Sequence, residues 1–392
     1  MIAMKSIIII NHSYKALLPI VLVVPLLVAA CGSSSSSSSA ATKSPIKVGM
    51  AVALTGYLAN NDGPLTKGAE LAAKDINSHG GVLGHPLQLI VENMASNPTQ
   101  GVSVTTQLIR QDHVDALING FTSAATAAET PIASAAQVPM VVASILPPDP
   151  TWVFSTIPPN TDSVNVTMAF AVNKLHAKTV GILYSETPFG EQAAKVLAAA
   201  ATSNGIKVIG SVAVPTTATD LTSELSSVKG ADVIIDSLTG PPHLAEARAA
   251  ATIGLKTPII MAIDNRSIFK QATSIYPDIY FVAAPPQVYP NIANPAVRAQ
   301  AGTFIKLYKK TYGTSAGETY AGRGWDAIQI LTKAMEKSHA FTGPKLRAAL
   351  ENLTYTGTSA VYEYSPSNHD NLVGNPYVIA RYVNGVIEVA YR

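Results

Sequence analysis

The residues able to do chemistry are few, and most of them suit binding rather than bond-making. Gly120-Phe121-Thr122-Ser123 follows an apolar run and opens a helical one. Free backbone N–H groups at a helix start attract anions, and a serine hydroxyl adds a donor. A plain helix cap is the alternative reading of Ser123, and the two roles are compatible. Asp264 follows the apolar run Pro258 to Ala262, where it either faces a ligand or caps a helix from Arg266 to Ser274. The motifs of catalysis are missing: there is no glycine-lysine phosphate loop and no Gly-x-Ser-x-Gly elbow. Gly322-Arg323-Gly324-Trp325-Asp326-Ala327 fits a dinucleotide pattern on paper, but the polar stretch Thr314 to Glu318 stands where the required strand should be. The eight histidines are scattered, and the close pair His79 and His85 sits on a glycine-rich turn better suited to surface histidines than to a metal. No enzyme activity, metal or cofactor is implied.

Cys31 is the only cysteine, so no internal disulfide can form. It ends the run Leu26-Leu27-Val28-Ala29-Ala30-Cys31, preceded by Lys5, Lys15 and an apolar stretch from Ala16. A basic head, an apolar core and small residues before a cut site read as a secretory signal. The apolar stretch is shorter than the ~20 residues a membrane span needs, and Pro19 and Pro25 weaken it further as a helix. Cleavage before a cysteine resembles the bacterial lipoprotein signal, which implies lipidation at Cys31 and a location on the extracytoplasmic face of a membrane. Ser33 to Ser39 form a flexible leash with nothing to bury. The expected layout is a signal over 1–30 and a tether over 31–45, with folded chain beyond.

About 345 residues then remain, enough for two domains. Hydrophobic residues are 47% of the chain and charged ones only 13%, roughly half the usual share. Removing the leader takes Lys5 and Lys15 from a formal charge of +2 and leaves the chain neutral. A neutral surface argues against nucleic acid and leaves membrane attachment to a lipid.

Positioning these residues falls to alternating strands and helices. Strands are predicted at 46–52, 87–91, 114–118 and 140–143, with helices at 65–78, 97–111 and 122–137 between them. After Pro158-Pro159-Asn160 a second series begins, with strands at 179–184, 207–214, 232–236, 258–262 and 279–283. Helices at 191–203, 221–228 and 244–253 separate them. Helices at 296–312 and 325–338 are placed to return over the first series. Short strands follow at 360–364, 377–383 and 386–391, the last two joined by the hairpin signal Asn384-Gly385. The fold class is α/β: two doubly wound, Rossmann-like lobes with a cleft at the strand carboxyl ends.

The order of several short pieces resembles one family. They are Ile46-Lys47-Val48-Gly49, Leu54-Thr55-Gly56, Gly68-Ala69-Glu70-Leu71-Ala72, Asp75-Ile76-Asn77 and Gly80-Gly81-Val82-Leu83-Gly84. Val153-Phe154 with Pro158, Phe189-Gly190-Glu191 and Trp325-Asp326-Ala327 fit as well. Together they are similar to the solute-binding proteins of branched-chain amino-acid ABC transporters, the type I periplasmic binding proteins. The resemblance implies two lobes crossed three times by the chain, over 46–162 plus 287–375 and over 163–286 plus 376–392. It implies a ligand carboxylate held at Ser123, with Ser144 and Leu146 in the next loop. Relatives often carry a hydroxyl where Leu146 stands. It implies a pocket wall at Phe189 where relatives have tyrosine, an ammonium partner at Asp264, and contacts at Asn61 and Thr239. The expected function is a lipid-anchored solute-binding subunit that delivers an amino acid to an ABC permease. The alternatives are an amide, urea or aromatic acid as solute, or a sensory lipoprotein without a transporter.

Overall fold

The computed structural model describes residues 43–392 apart from 263, 265 and 315–317. Cys31 and the leader lie outside the described residues. The chain opens with β1 (Ile46–Val52), α1 (Ala59–Ser78), β2 (Leu87–Asn93), α2 (Pro98–Arg110), β3 (Ala116–Asn119), α3 (Ser123–Ala136), β4 (Met140–Val142) and β5 (Val153–Ser155). These strands form one parallel sheet in the order β2-β1-β3-β4-β5. Next come α4 (Asn160–Asn173), β6 (Thr179–Ser185), α5 (Pro188–Ser203), β7 (Lys207–Val214), α6 (Thr222–Val228), β8 (Val233–Ser237), α7 (Pro242–Thr252), β9 (Ile259–Met261), α8 (Arg266–Ile275) and β10 (Ile279–Ala283). A 3-10 turn at Pro285–Val288 leads to α9 (Pro295–Tyr312), α10 (Glu318–Ser338), α11 (Gly343–Leu350), β11 (Thr354–Thr356) and β12 (Val361–Glu363), and the chain ends with β13 (Val378–Val383) and β14 (Val386–Tyr391). The second sheet runs β14-β13-β10-β9-β8-β6-β7, parallel from β10 to β7 and antiparallel at its β13-β14 edge.

The central strands are apolar because helices cover both faces of each sheet. All five residues of β8 are buried. Helix starts follow capping chemistry: Asn97 and Asn294 each accept from two backbone N–H groups ahead of a proline. Asn384 and Gly385 both take positive φ, as the tight β13–β14 turn requires.

The chain passes between the sheets after β5, after β10 and after β12. Helices α10 and α11 return to the first sheet's core, where Trp325, Ile328, Leu331 and Leu346 meet Val48, Met50 and Leu65. Helix α9 straddles the lobes: Val297 and Ala301 join the second lobe's core, Phe304 and Tyr308 the first's.

Some elements differ from expectation. Helix α1 starts at Ala59 and runs through Pro64, which costs it one backbone bond. Helix α10 starts at Glu318, so Gly322 and Gly324 lie inside a helix rather than breaking one. A Cβ on Gly324 would stand 1.9 Å from the Leu65 carbonyl oxygen, and one on Gly68 1.8 Å from that of Ala321. The glycines let α1 and α10 cross backbone to backbone. Helix α4 had no amphipathic stripe to betray it, because Val164, Val166, Thr167, Met168, Phe170 and Ala171 are buried around much of its circumference. β5, α11 and β11 are short and also went unmarked as elements.

Candidate functional site

A cavity lies between the lobes, walled by both and floored by residues at the crossings. It measures about 90 Å³, well above the ~10–15 Å³ needed to admit one water molecule. That suits a small solute. It opens at the carboxyl ends of strands from both sheets, where open α/β folds bind ligands.

The first lobe contributes loops fixed from beneath by Asp62 on α1. Its Oδ2 accepts from the Ala53 N–H at 2.6 Å and its Oδ1 from the Phe121 N–H at 2.9 Å. A Cβ on Gly120 would fall 2.0 Å from Asp62 Oδ2, so the bend after β3 has room only for glycine. Burial pushes the Asp62 carboxyl up to about 7, despite the two N–H bonds that favour its charge. Ser123 opens α3 and lines the cavity. Thr122 is the helix cap, but its hydroxyl makes no capping bond. Ser144, after β4, also lines the cavity, its hydroxyl 2.7 Å from that of Thr126. Asn61, in the first turn of α1, lines it too and keeps an unbonded Oδ1.

Leu146 goes elsewhere. Past Ile145 the side chain turns away from the cavity and packs behind the first sheet, against a cluster that includes Ala51, Leu117 and Met140. An apolar side chain at a loop exit is drawn to the nearest core.

From the second lobe come Phe189, Thr239 and Asp236. Phe189 sits in the first turn of α5, capped by the Thr187 hydroxyl, which accepts from the Gly190 N–H at 3.1 Å. Its ring is half-buried and belongs to none of the apolar clusters. Thr239 follows β8.

Asp264 is fully buried but does not line the cavity, which corrects its expected place on the cleft wall. Its Oδ2 lies 2.8 Å from His243 Nδ1, and its Oδ1 accepts from the Tyr320 hydroxyl at 3.3 Å. The other ring nitrogen of His243 faces Asp236 Oδ1 at 3.4 Å. The ring thus bridges two carboxylates, one at the cavity and one behind it. Burial pulls the His243 pKa down, but Asp236 and Asp264 outweigh it and hold the imidazole well above its ordinary value. Glu246, one turn further along α7, is pushed well above the usual carboxylate range by burial and by Asp236. Tyr320 belongs to α10, so its bond to Asp264 joins the lobes.

The floor was not foreseen. Tyr320 and Arg323 of α10, Asn160 at the first crossing and Tyr377 at the third all face the cavity. Arg323 is fully buried. It donates to the Thr156 carbonyl and, through Nη2 at 3.5 Å, to the Tyr377 hydroxyl. An arginine amid the apolar residues of α10 was the available signal, masked by the flanking glycines. His79 and His85 each bond a backbone carbonyl, of Asp75 and Ser44, at 2.8 Å.

A family model described as periplasmic binding protein matches residues 45–385. The chain belongs to the periplasmic binding protein family. Among curated relatives, Leu/Ile/Val-binding protein homolog 7 of Brucella abortus is 22% identical over 321 residues, 78% of this chain and 80% of its own. A leucine-, isoleucine-, valine-, threonine- and alanine-binding protein of Pseudomonas aeruginosa is 28% identical over 42% of this chain and 45% of its own. Among solved structures, the branched-chain amino acid transporter substrate-binding protein LivJ of Streptococcus pneumoniae, in complex with isoleucine, superposes with a TM-score of 0.75. It is 21% identical and aligned over 89% of this chain and all of its own. A type 1 periplasmic binding protein from Bordetella pertussis superposes at 0.80, with 21% identity and the same coverage. These structures establish that the periplasmic binding protein fold here is the two-lobed type I arrangement. No helix among the described residues is long and apolar enough to cross a membrane.

Proposed function

We propose that the protein is the lipid-anchored solute-binding subunit of an ABC importer and that it closes over one small amino acid with an apolar side chain. The observation that carries this reading is the cavity itself, small and walled by both lobes at once. A solute touching both lobes binds the closed form more tightly than the open one, and only such a difference shifts the equilibrium. The closed form is then what a membrane permease would recognise. Polar groups from the first lobe, Ser123, Ser144 and Asn61, suit the charged end of an amino acid, and the Phe189 ring suits an apolar side chain. The relatives named for leucine, isoleucine and valine support that choice of solute. Asp264 reaches such a solute only through Asp236, His243 or Tyr320, so we assign it a supporting part. The anchor rests on Val28-Ala29-Ala30-Cys31. Calorimetric titration with leucine, isoleucine and valine tests the binding. One site per chain is expected, and absence of heat and of thermal stabilisation with every amino acid would refute it.

A further inference from the structure

The charge at the floor of the cavity is hydrogen-bonded to no anion among the described residues. Arg323 is 1% exposed and makes no ion pair among the described residues. Its bonds go to a carbonyl, Thr156, and a phenol, Tyr377, both neutral. The acid nearest in the helix, Asp326, is one turn away and attracts Arg323 through space, but its hydrogen bonds come from the Thr358 and Ser359 N–H groups and the Tyr362 hydroxyl, not from the guanidinium. A guanidinium carries five N–H donors in a flat fork. A buried cation whose own hydrogen bonds go only to neutral acceptors is stabilised by an anion that meets its fork directly. The open space against Arg323 is the solute cavity. The second lobe's carboxylate at the cavity, Asp236, faces His243 and accepts from the Ala262 N–H at 2.7 Å, both through Oδ1, and it makes no ion pair with Arg323.

We infer that Arg323 receives an anionic group of the solute, a carboxylate, so that the protein takes small organic acids or the acid end of an amino acid and rejects their neutral amides. The inference rests on the solute-binding reading above and sharpens it. Guanidinium matches carboxylate in a two-point, charge-assisted geometry that an amide cannot reproduce. The position of Arg323 adds a consequence. It braces Thr156, beside the first crossing, and Tyr377, beside the third, so an anion drawn to it pulls on the segments about which the lobes turn.

The test compares leucine, leucinamide, isocaproate, benzoate and benzamide by calorimetry on the parent, Arg323→Gln and Arg323→Lys, with circular dichroism and melting to confirm the fold. In the parent at least one acid binds and its amide binds at least about thirtyfold more weakly. Arg323→Gln lowers affinity for the acid by about thirtyfold to a few thousandfold and erases the preference for acid over amide. Arg323→Lys keeps the charge but not the fork, and retains part of that preference. Should neither variant fold, the acid-to-amide ratio is read in Ser123→Ala: a preference that persists supports Arg323 as its source, and one that vanishes overturns the inference. Leucine binding without isocaproate marks an amino acid as the source of the carboxylate, and isocaproate or benzoate binding marks a simple acid; either supports the inference. Equal affinity for acid and amide in the parent overturns it. So does a folded Arg323→Gln that weakens both by the same factor, because a mere hinge brace would do that. Both results leave the solute-binding reading standing. Failure of every acid overturns the inference, and failure of the amides as well removes the reading beneath it.

Discussion

Asp264→Asn separates a supporting role from a ligand contact. The parent carboxylate meets His243 Nδ1 at 2.8 Å and the Tyr320 hydroxyl at 3.3 Å. Bonds to a charged group contribute about 1.5–3 kcal/mol each, against about 0.5–1.5 for neutral ones, so neutralising the acceptor costs roughly 1–1.5 kcal/mol per bond. Breaking a buried pair outright costs about 3–5 kcal/mol, but Asp236 still faces His243 from the other side. The expected loss of folding stability is therefore about 2–4 kcal/mol, read as a lower urea midpoint. Its pH dependence is also fixed in sign. His243 is raised in the folded state, so the stability it contributes is fully present below its unfolded pKa of about 6.5 and is lost as pH rises through the higher folded value. The difference between parent and variant should be largest near pH 6 and shrink in alkaline solution. Solute affinity should fall by less than about tenfold, through the lobe contact at Tyr320. An unchanged midpoint with a larger loss of affinity would refute the reasoning and put Asp264 against the solute.

Phe189→Ala should weaken binding of a solute with an apolar side chain by about 2–4 kcal/mol and leave the melting temperature nearly unchanged, because the ring lies outside the apolar clusters; a collapse of stability with affinity intact would make it a core residue. Burial raises Asp62 to about 7, Glu129 to about 8 and Asp326 to about 6. The folded state therefore binds more protons than the unfolded one between about pH 4 and 8, and stability should fall across that range by at least ~2 kcal/mol; a urea midpoint that rises from pH 5 to pH 8 would contradict this. Intact-mass analysis of the membrane fraction should find an acyl-modified Cys31 at the N-terminus, and Cys31→Ser should release the protein or leave it uncleaved; an unmodified Cys31 with a start elsewhere would remove the anchor.

The sheets were legible because their strands are buried on both faces and read as unbroken apolar runs, β1 and β8 most clearly. The hairpin at Asn384-Gly385 was legible for a different reason, since its positive φ angles leave few residue choices. The second lobe's core is split over two faces, and that blurred α4, whose burial on several sides carries no period. In the site, Ser123 and Ser144 were legible as residues that follow strands, while Asn61, Phe189 and Thr239 rested on the family resemblance, and the structure brings all five to one cavity. Asp264 and Leu146 were placed by their positions after strands together with the family resemblance. Neither position reveals that His243, from a different helix, captures Asp264, or that an apolar cluster captures Leu146. The floor residues Tyr320, Arg323 and Tyr377 come from segments remote in sequence from the loops they face. Only the crossing of α1 over α10, set by Gly68 and Gly324, brings α10 to the cleft.

The most direct test of the account is a calorimetric titration of the protein with leucine, isoleucine and valine beside the same titration of Phe189→Ala. The account predicts one site per chain for at least one of these amino acids, with affinity reduced in the variant. Absence of binding by all three would contradict the claim that the solute is an apolar amino acid, and binding that Phe189→Ala leaves unchanged would contradict the claim that this cavity holds it.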